Sequence, residues 1–179
     1  MQIGSWIGGL VLAAMALAPK PALADLAVGT KVSNVTLRNA KDKPARIPDL
    51  GKKVLTIFYV DPDEKGQNEK FSKALKEAKL DKYLFRKLGV VNMEDTWKPN
   101  FLIRKMIRSN QKAFGSTVLM DPEHFLKKAW KIGKTNDTVV VMVIGSDSKI
   151  KFLKHGALNA AERKSTLELI KKLMAQNDK

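Results

Sequence analysis

The segment Lys53-Val-Leu-Thr-Ile-Phe-Tyr-Val60 constrains the fold more than any other in the chain. It is a nearly unbroken apolar run, rich in β-branched and aromatic residues, and too short to be a typical globular helix or a membrane span. A strand with one wet face alternates polar and apolar residues; this one does not, so both of its faces are buried. A sheet containing it needs a covering layer on each side, which in one chain means helices packed on both faces. The run ends in Asp61-Pro62-Asp63-Glu64, where acidic side chains and a proline predict a helix start. Phe71, Ala74, Leu75 and Ala78 then recur at helical spacing, with Lys70, Lys73, Lys76 and Lys79 on the other faces.

The remaining pattern continues the alternation. Val35–Leu37, Phe85–Met93 and Val118–Met120 read as strands, the last two expected to run parallel to the first apolar run. Leu102, Ile103, Met106 and Ile107 mark a helix, and Phe125, Leu126, Ala129 and Trp130 a short second one. Thr138–Ile144 and Lys149–Leu153 flank Gly145-Ser146-Asp147-Ser148, a hairpin signature. A final helix is expected after Asn159 as N-cap, with Glu162 completing a capping box. The sum is an α/β chain with a mixed sheet and helices on both faces, in one domain spanning residues 25–179.

Residues 1–24 stand apart. Ile7–Ala18 is twelve residues without a charge, and Ala22-Leu23-Ala24 is a small-x-small site before Asp25. The run is too short to span a bilayer and has the length of a signal-peptide core, although Met1–Trp6 lacks the usual Lys or Arg. The expectation is a signal peptide at 1–24 and export to the periplasm.

Composition excludes whole classes of chemistry. The 179 residues contain no cysteine, so disulfides, thiolate metal sites and cysteine nucleophiles are absent. Two histidines, His124 and His155, stand 31 positions apart without HExxH or triad context; His155 reads as a loop residue. No P-loop or GxGxxG occurs. No catalytic residue, metal or cofactor is assigned.

Val28-Gly29-Thr30-Lys31-Val32 and Pro48–Leu55 resemble the lead-in of extracytoplasmic thioredoxin-like and peroxiredoxin-like proteins. Val91-Asn92-Met93-Glu94-Asp95, Asp121, Ala129-Trp130, Val139–Val141 and His155-Gly156-Ala157-Leu158 are similar to the YtfJ-like periplasmic family. That resemblance implies a thioredoxin-like fold and export. It also shows what has been lost. Asp63-Glu64-Lys65-Gly66 stands where the Cys-x-x-C of active thioredoxins would lie, Gly66 or Gln67 near the peroxidatic position, and Asp137 where the cis-proline would be. Thiol exchange needs a thiolate as attacking atom, and none of these side chains supplies one.

Ligand sites of open α/β sheets gather beyond the strand C-termini. That edge is expected to collect Asp61, Asp63, Glu64, Glu94, Asp95 and Asp137, with Asp121 to one side. Against a net charge of +15 the edge is locally negative, suited to a hard cation or a basic partner segment. Helix capping and turn initiation explain the same acids without a ligand. Clusters at Lys98/Arg104/Arg108/Lys112, Lys127/Lys128/Lys131/Lys134 and Lys149/Lys151/Lys154 offer basic faces to polyanions. The reading is an exported, redox-inactive thioredoxin-fold binding or accessory module, its partner an envelope protein or an anionic surface component. Export argues against nucleic acid. The alternatives are a cysteine-independent enzyme, of antioxidant type or another, at the acidic edge, and an envelope polyanion binder using the lysines.

Overall fold

A computed structural model describes residues 25–94, 99, 101–105, 107–108 and 117–177. Seven strands form one sheet: β1 Thr36–Asn39, β2 Pro44–Arg46, β3 Val54–Val60, β4 Phe85–Asn92, β5 Thr117–Asp121, β6 Val139–Ile144 and β7 Ile150–His155. Their order is β2-β1-β5-β4-β3-β6-β7. β3, β4 and β5 are parallel, β6 runs antiparallel to β3, and β6 and β7 form the expected hairpin. The helices are α1 Glu69–Glu77, α2 Phe125–Trp130 and α3 Ala160–Asn177, with residues 101–105 and 107–108 also helical.

The apolar run is β3, third from one edge and buried from Val54 to Tyr59. Leu55, Ile57 and Tyr59 join Leu88, Val90 and Leu119 on one face, beneath Leu126 and Trp130 of α2 and the N-terminal Leu26 and Val32. Val54 and Phe58 point the other way with Val141 and Val143, beneath Phe71 and Leu75 of α1 and Ile170 and Met174 of α3. Ile103 and Ile107 cover that second face further along, packed on Ala40 and Met120. Helices thus lie on both faces, as the run requires.

The capping box forms: the Asn159 backbone N–H donates to Glu162 Oε2 at 2.8 Å and the Glu162 N–H to Asn159 Oδ1 at 2.9 Å. Trp130 is a core residue, 4% exposed, its indole N–H donating to the Ser33 carbonyl at 2.8 Å. One strand goes beyond the sequence reading, and two expectations need correction. β2 carries no strand signature, being three residues beginning with proline at the sheet edge. His155 ends β7 opposite Val140 and is not a loop residue. No helix starts at Asp61–Glu64; turns occupy residues 62–68 and α1 begins at Glu69.

Candidate functional site

The delayed start of α1 shapes the site. Asn68 stands at its N-cap but makes no side-chain capping bond. Its amide is committed elsewhere: Nδ2 donates to the Gly156 carbonyl at 3.0 Å, and Oδ1 accepts the Leu158 N–H at 2.9 Å. Gln67 Oε1 accepts the Val139 N–H at 2.9 Å. Asp61, 1% exposed, accepts from the Asp63 N–H through Oδ1 and from the Asp137 N–H through Oδ2, each at 2.9 Å. Three side chains of one loop therefore fasten it to the lead-in of β6 and to the segment after β7. A carboxylate so deeply buried is tolerable because hydrogen-bond donors meet both of its oxygens.

The row continues across the sheet. Asn92 and Asp121 are register partners at the ends of β4 and β5, both 0% exposed. Asp121 was expected to one side; it belongs to the same edge, because β5 pairs directly with β4. Its Oδ2 accepts the Tyr59 hydroxyl at 2.9 Å and the N–H groups of Leu126 at 3.1 Å and Lys127 at 3.3 Å. It anchors the first turn of α2, a use of carboxylate suited to the exposed N–H groups of a helix start. Asn92 donates to Thr135 Oγ1 at 3.3 Å and accepts the Glu94 N–H at 3.1 Å. Tyr59, Asn68, Asn92 and Thr135 were missed because a polar residue at a strand end, at a helix start or in a loop reads as an ordinary boundary; two-residue spacing from Tyr59 to Asp61 was the available signal.

Of the six acids assigned from sequence, Asp61 is structural, and Asp63, Glu94 and Asp137 are exposed with Glu64 half-buried. Asp95 lies outside the described residues. Asp137 has a φ of 56°. Among the described residues no three His, Asp or Glu side chains stand close enough to hold a metal ion. Beside Asp137 runs a groove of about 460 Å³, lined by Asp25, Leu26, Ile132, Lys134, Thr138, His155 and Gly156 among others. His155 Nδ1 lies 3.0 Å from the Lys134 carbonyl; a carbonyl only accepts, so Nδ1 carries the proton.

Two of the three hairpin cations are locally neutralised: Lys151 pairs with Asp147 at 2.7 Å and Lys154 with Glu162 at 2.8 Å. Hydrogen bonds from Lys154 and from the Asn159 N–H hold the Glu162 carboxyl below its usual range. The third basic cluster is therefore a weaker polyanion face than its sequence implies. Lys98 and Lys112 of the first cluster, and Trp97, lie outside the described residues.

Residues 48–173 match the family model described as "Bacterial protein of unknown function (YtfJ_HI0045)". The chain belongs to this family. It is 27% identical over 112 residues to the uncharacterized protein YtfJ of Escherichia coli (strain K12), a match covering 62% of this chain and 60% of that relative. The chain thus spans about three fifths of the length of the relative it matches. Among solved structures, a peroxiredoxin-like protein from Aquifex aeolicus superposes with a TM-score of 0.60 at 14% identity, covering 84% of this chain and 89% of that one. The pneumococcal exposed lipoprotein thioredoxin Etrx1 from Streptococcus pneumoniae strain TIGR4 gives 0.56 at 15%, covering 79% and 100%. StoA from Bacillus subtilis gives 0.55 at 14%, covering 75% and 96%. The chain has a thioredoxin-like fold, and it carries no cysteine.

Proposed function

We propose that this protein acts by recognition at the strand-end edge, binding a basic, extended segment of an envelope partner without thiol chemistry. The observation that carries the reading is the replacement of the redox loop by a fastened one. Asp61, Gln67 and Asn68 fix the loop to its neighbours, leaving Asp63, Glu64 and Glu94 on the strand-end edge and Asp137 in the lining of the groove, all on a fastened support. A fixed edge carrying exposed carboxylates costs little ordering on binding and attracts cations selectively from a surface that is basic overall.

In this reading residues 1–24 are a signal peptide and the site operates in the periplasm. The sequence pattern at Ile7–Ala24 supports export, as does the likeness to a protein described as an exposed lipoprotein. No helix among the described residues is long and apolar enough to cross a membrane.

The test combines two measurements. Purified protein should give no insulin reduction or peroxide consumption above background. Cross-linking in the native envelope should capture a partner that Asp63→Lys/Glu64→Lys/Asp137→Lys loses and that Lys164→Glu on α3 retains. Thiol-type turnover, or a captured set indifferent to the acidic edge, overturns the reading.

A further inference from the structure

A second surface lies on the opposite side of β4 from the groove, where the turn between β1 and β2 meets the helical residues 101–105 and 107–108. Three guanidinium groups converge there on one turn. Arg104 Nη2 lies 3.2 Å from Asp42 Oδ2, Arg108 Nη1 donates to the Ala40 carbonyl at 3.4 Å, and Arg38 Nη1 to the Asp42 carbonyl at 3.4 Å. Lys41 and Lys43 flank Asp42 with exposed side chains. Their backbone N–H groups donate to Asn39 Oδ1 at 2.8 and 3.1 Å, so the turn that carries them is fixed. Five cations therefore sit on or against this one turn, whose only carboxylate, Asp42, is paired with Arg104.

The helical residues are amphipathic in an unusual sense. Ile103 and Ile107 face the core and are 2% and 4% exposed. Phe101, Arg104, Lys105 and Arg108 follow i, i+3, i+4, i+7 spacing along an outer face. Phe101 is 66% exposed and Leu102 41%, so an aromatic ring and a leucine stand in water one turn from the arginines.

We propose that this face docks on an anionic lipid surface, with the arginines and lysines at headgroup phosphates and Phe101 and Leu102 entering the headgroup–acyl boundary. The proposal is independent of the reading at the strand-end edge. Charge complementarity selects the anionic partner. The exposed apolar side chains select a bilayer over a soluble polyanion, because a polyanion in water offers an aromatic ring no apolar phase to enter. The side chains of a rigid hairpin and a packed helix are already placed, so little ordering is needed at the moment of docking.

The test is sedimentation of the full chain with vesicles of equal parts phosphatidylcholine and phosphatidylglycerol, against phosphatidylcholine alone. Binding to the neutral vesicles reports any contribution of the apolar Ile7–Ala18 segment. On the anionic vesicles Lys41→Glu/Lys43→Glu is expected to lower partitioning by about tenfold or more. Phe101→Ser should lower it by roughly threefold or more, through lost apolar burial. Lys164→Glu/Lys172→Glu, the same charge change placed on α3, should have a much smaller effect. The proposal is overturned if the α3 variant loses as much as the turn variant, since bulk charge then explains the binding. It is equally overturned if anionic vesicles bind no better than neutral ones. A third contrary outcome is soluble polyphosphate bound through Lys41 and Lys43 while Phe101→Ser leaves vesicle binding unchanged, which would make this a polyanion surface.

Discussion

The Tyr59 hydroxyl donates a 2.9 Å hydrogen bond to Oδ2 of Asp121, joining the end of β3 to the end of β5 across 62 residues of chain with both side chains fully buried. The strand between them, β4, contributes no atom to this bond. Tyr59 spans it and so reports directly on how the parallel strands and α2 are held together.

Replacing Tyr59 with Phe keeps the ring and removes the donor. A hydrogen bond to a buried charged group contributes about 1.5–3 kcal/mol, and Asp121 keeps its two backbone donors, so the expected loss is about 2 kcal/mol. Urea unfolding followed by tryptophan fluorescence measures it. An unchanged midpoint would show that the bond adds nothing.

Asn68 and Glu94 make a contrasting pair on the same edge. Asn68→Ala deprives a buried N–H and a carbonyl of their partners and is expected to cost about 2–3 kcal/mol. Glu94 is exposed, and Glu94→Ala should stay within about 0.5 kcal/mol of wild type. Similar losses in both variants would contradict the assignment of Asn68 as a fastener.

Asp49 sets part of the acid response. Burial acts to raise its carboxyl, but Arg86 at 2.6 Å, with Lys53 beyond it, outweighs this and holds it below its ordinary value. A carboxyl depressed in the folded state adds stability that is complete above its unfolded value and is lost as pH falls through the folded one. Stability should therefore drop as pH falls below about 4, and Asp49→Asn should flatten that drop. At neutral pH the same variant should cost about 1 kcal/mol. Unfolding series across the acid range in both proteins supply the check.

Lys87 is half-buried on β4, its ammonium donating to Ser72 Oγ at 2.9 Å. Burial, followed by the nearby charge of Lys76, lowers its pKa. Proton binding is thus weaker in the folded than in the unfolded state, and stability gains as pH rises through the interval between the two values. Lys87→Met removes the buried charge and keeps the stem, so stability at neutral pH should match or exceed wild type. A loss above about 1 kcal/mol would mean the Ser72 contacts outweigh the burial cost.

Periodicity carried most of the architecture. β3, the β6–β7 hairpin, the packing of α1 and the cap of α3 all follow from patterns within ten or so residues. The lost features depend on distant partners. Asp61-Pro62-Asp63-Glu64 has the composition of a helix start, but Asp61 is drawn off to the backbone N–H groups of Asp63 and Asp137, and α1 waits until Glu69. β2 is too short to have a period, and it forms because Thr36–Arg38 offers it a ladder. At the edge, the acids were legible by type. Which of them are buried was not, since backbone donors at residues 63 and 137 hold Asp61 inward and the register of β5 against β4 draws in Asp121.

The fasteners of the edge join positions 72 to 90 residues apart, from Asp61–Asn68 to Asp137–Leu158. A chain that ends before residue 137, whether truncated or still being synthesised, lacks the far end of every one of these ties. A partner that reads this groove would then also be reading whether the molecule is finished, and unfinished copies would pass it unrecognised.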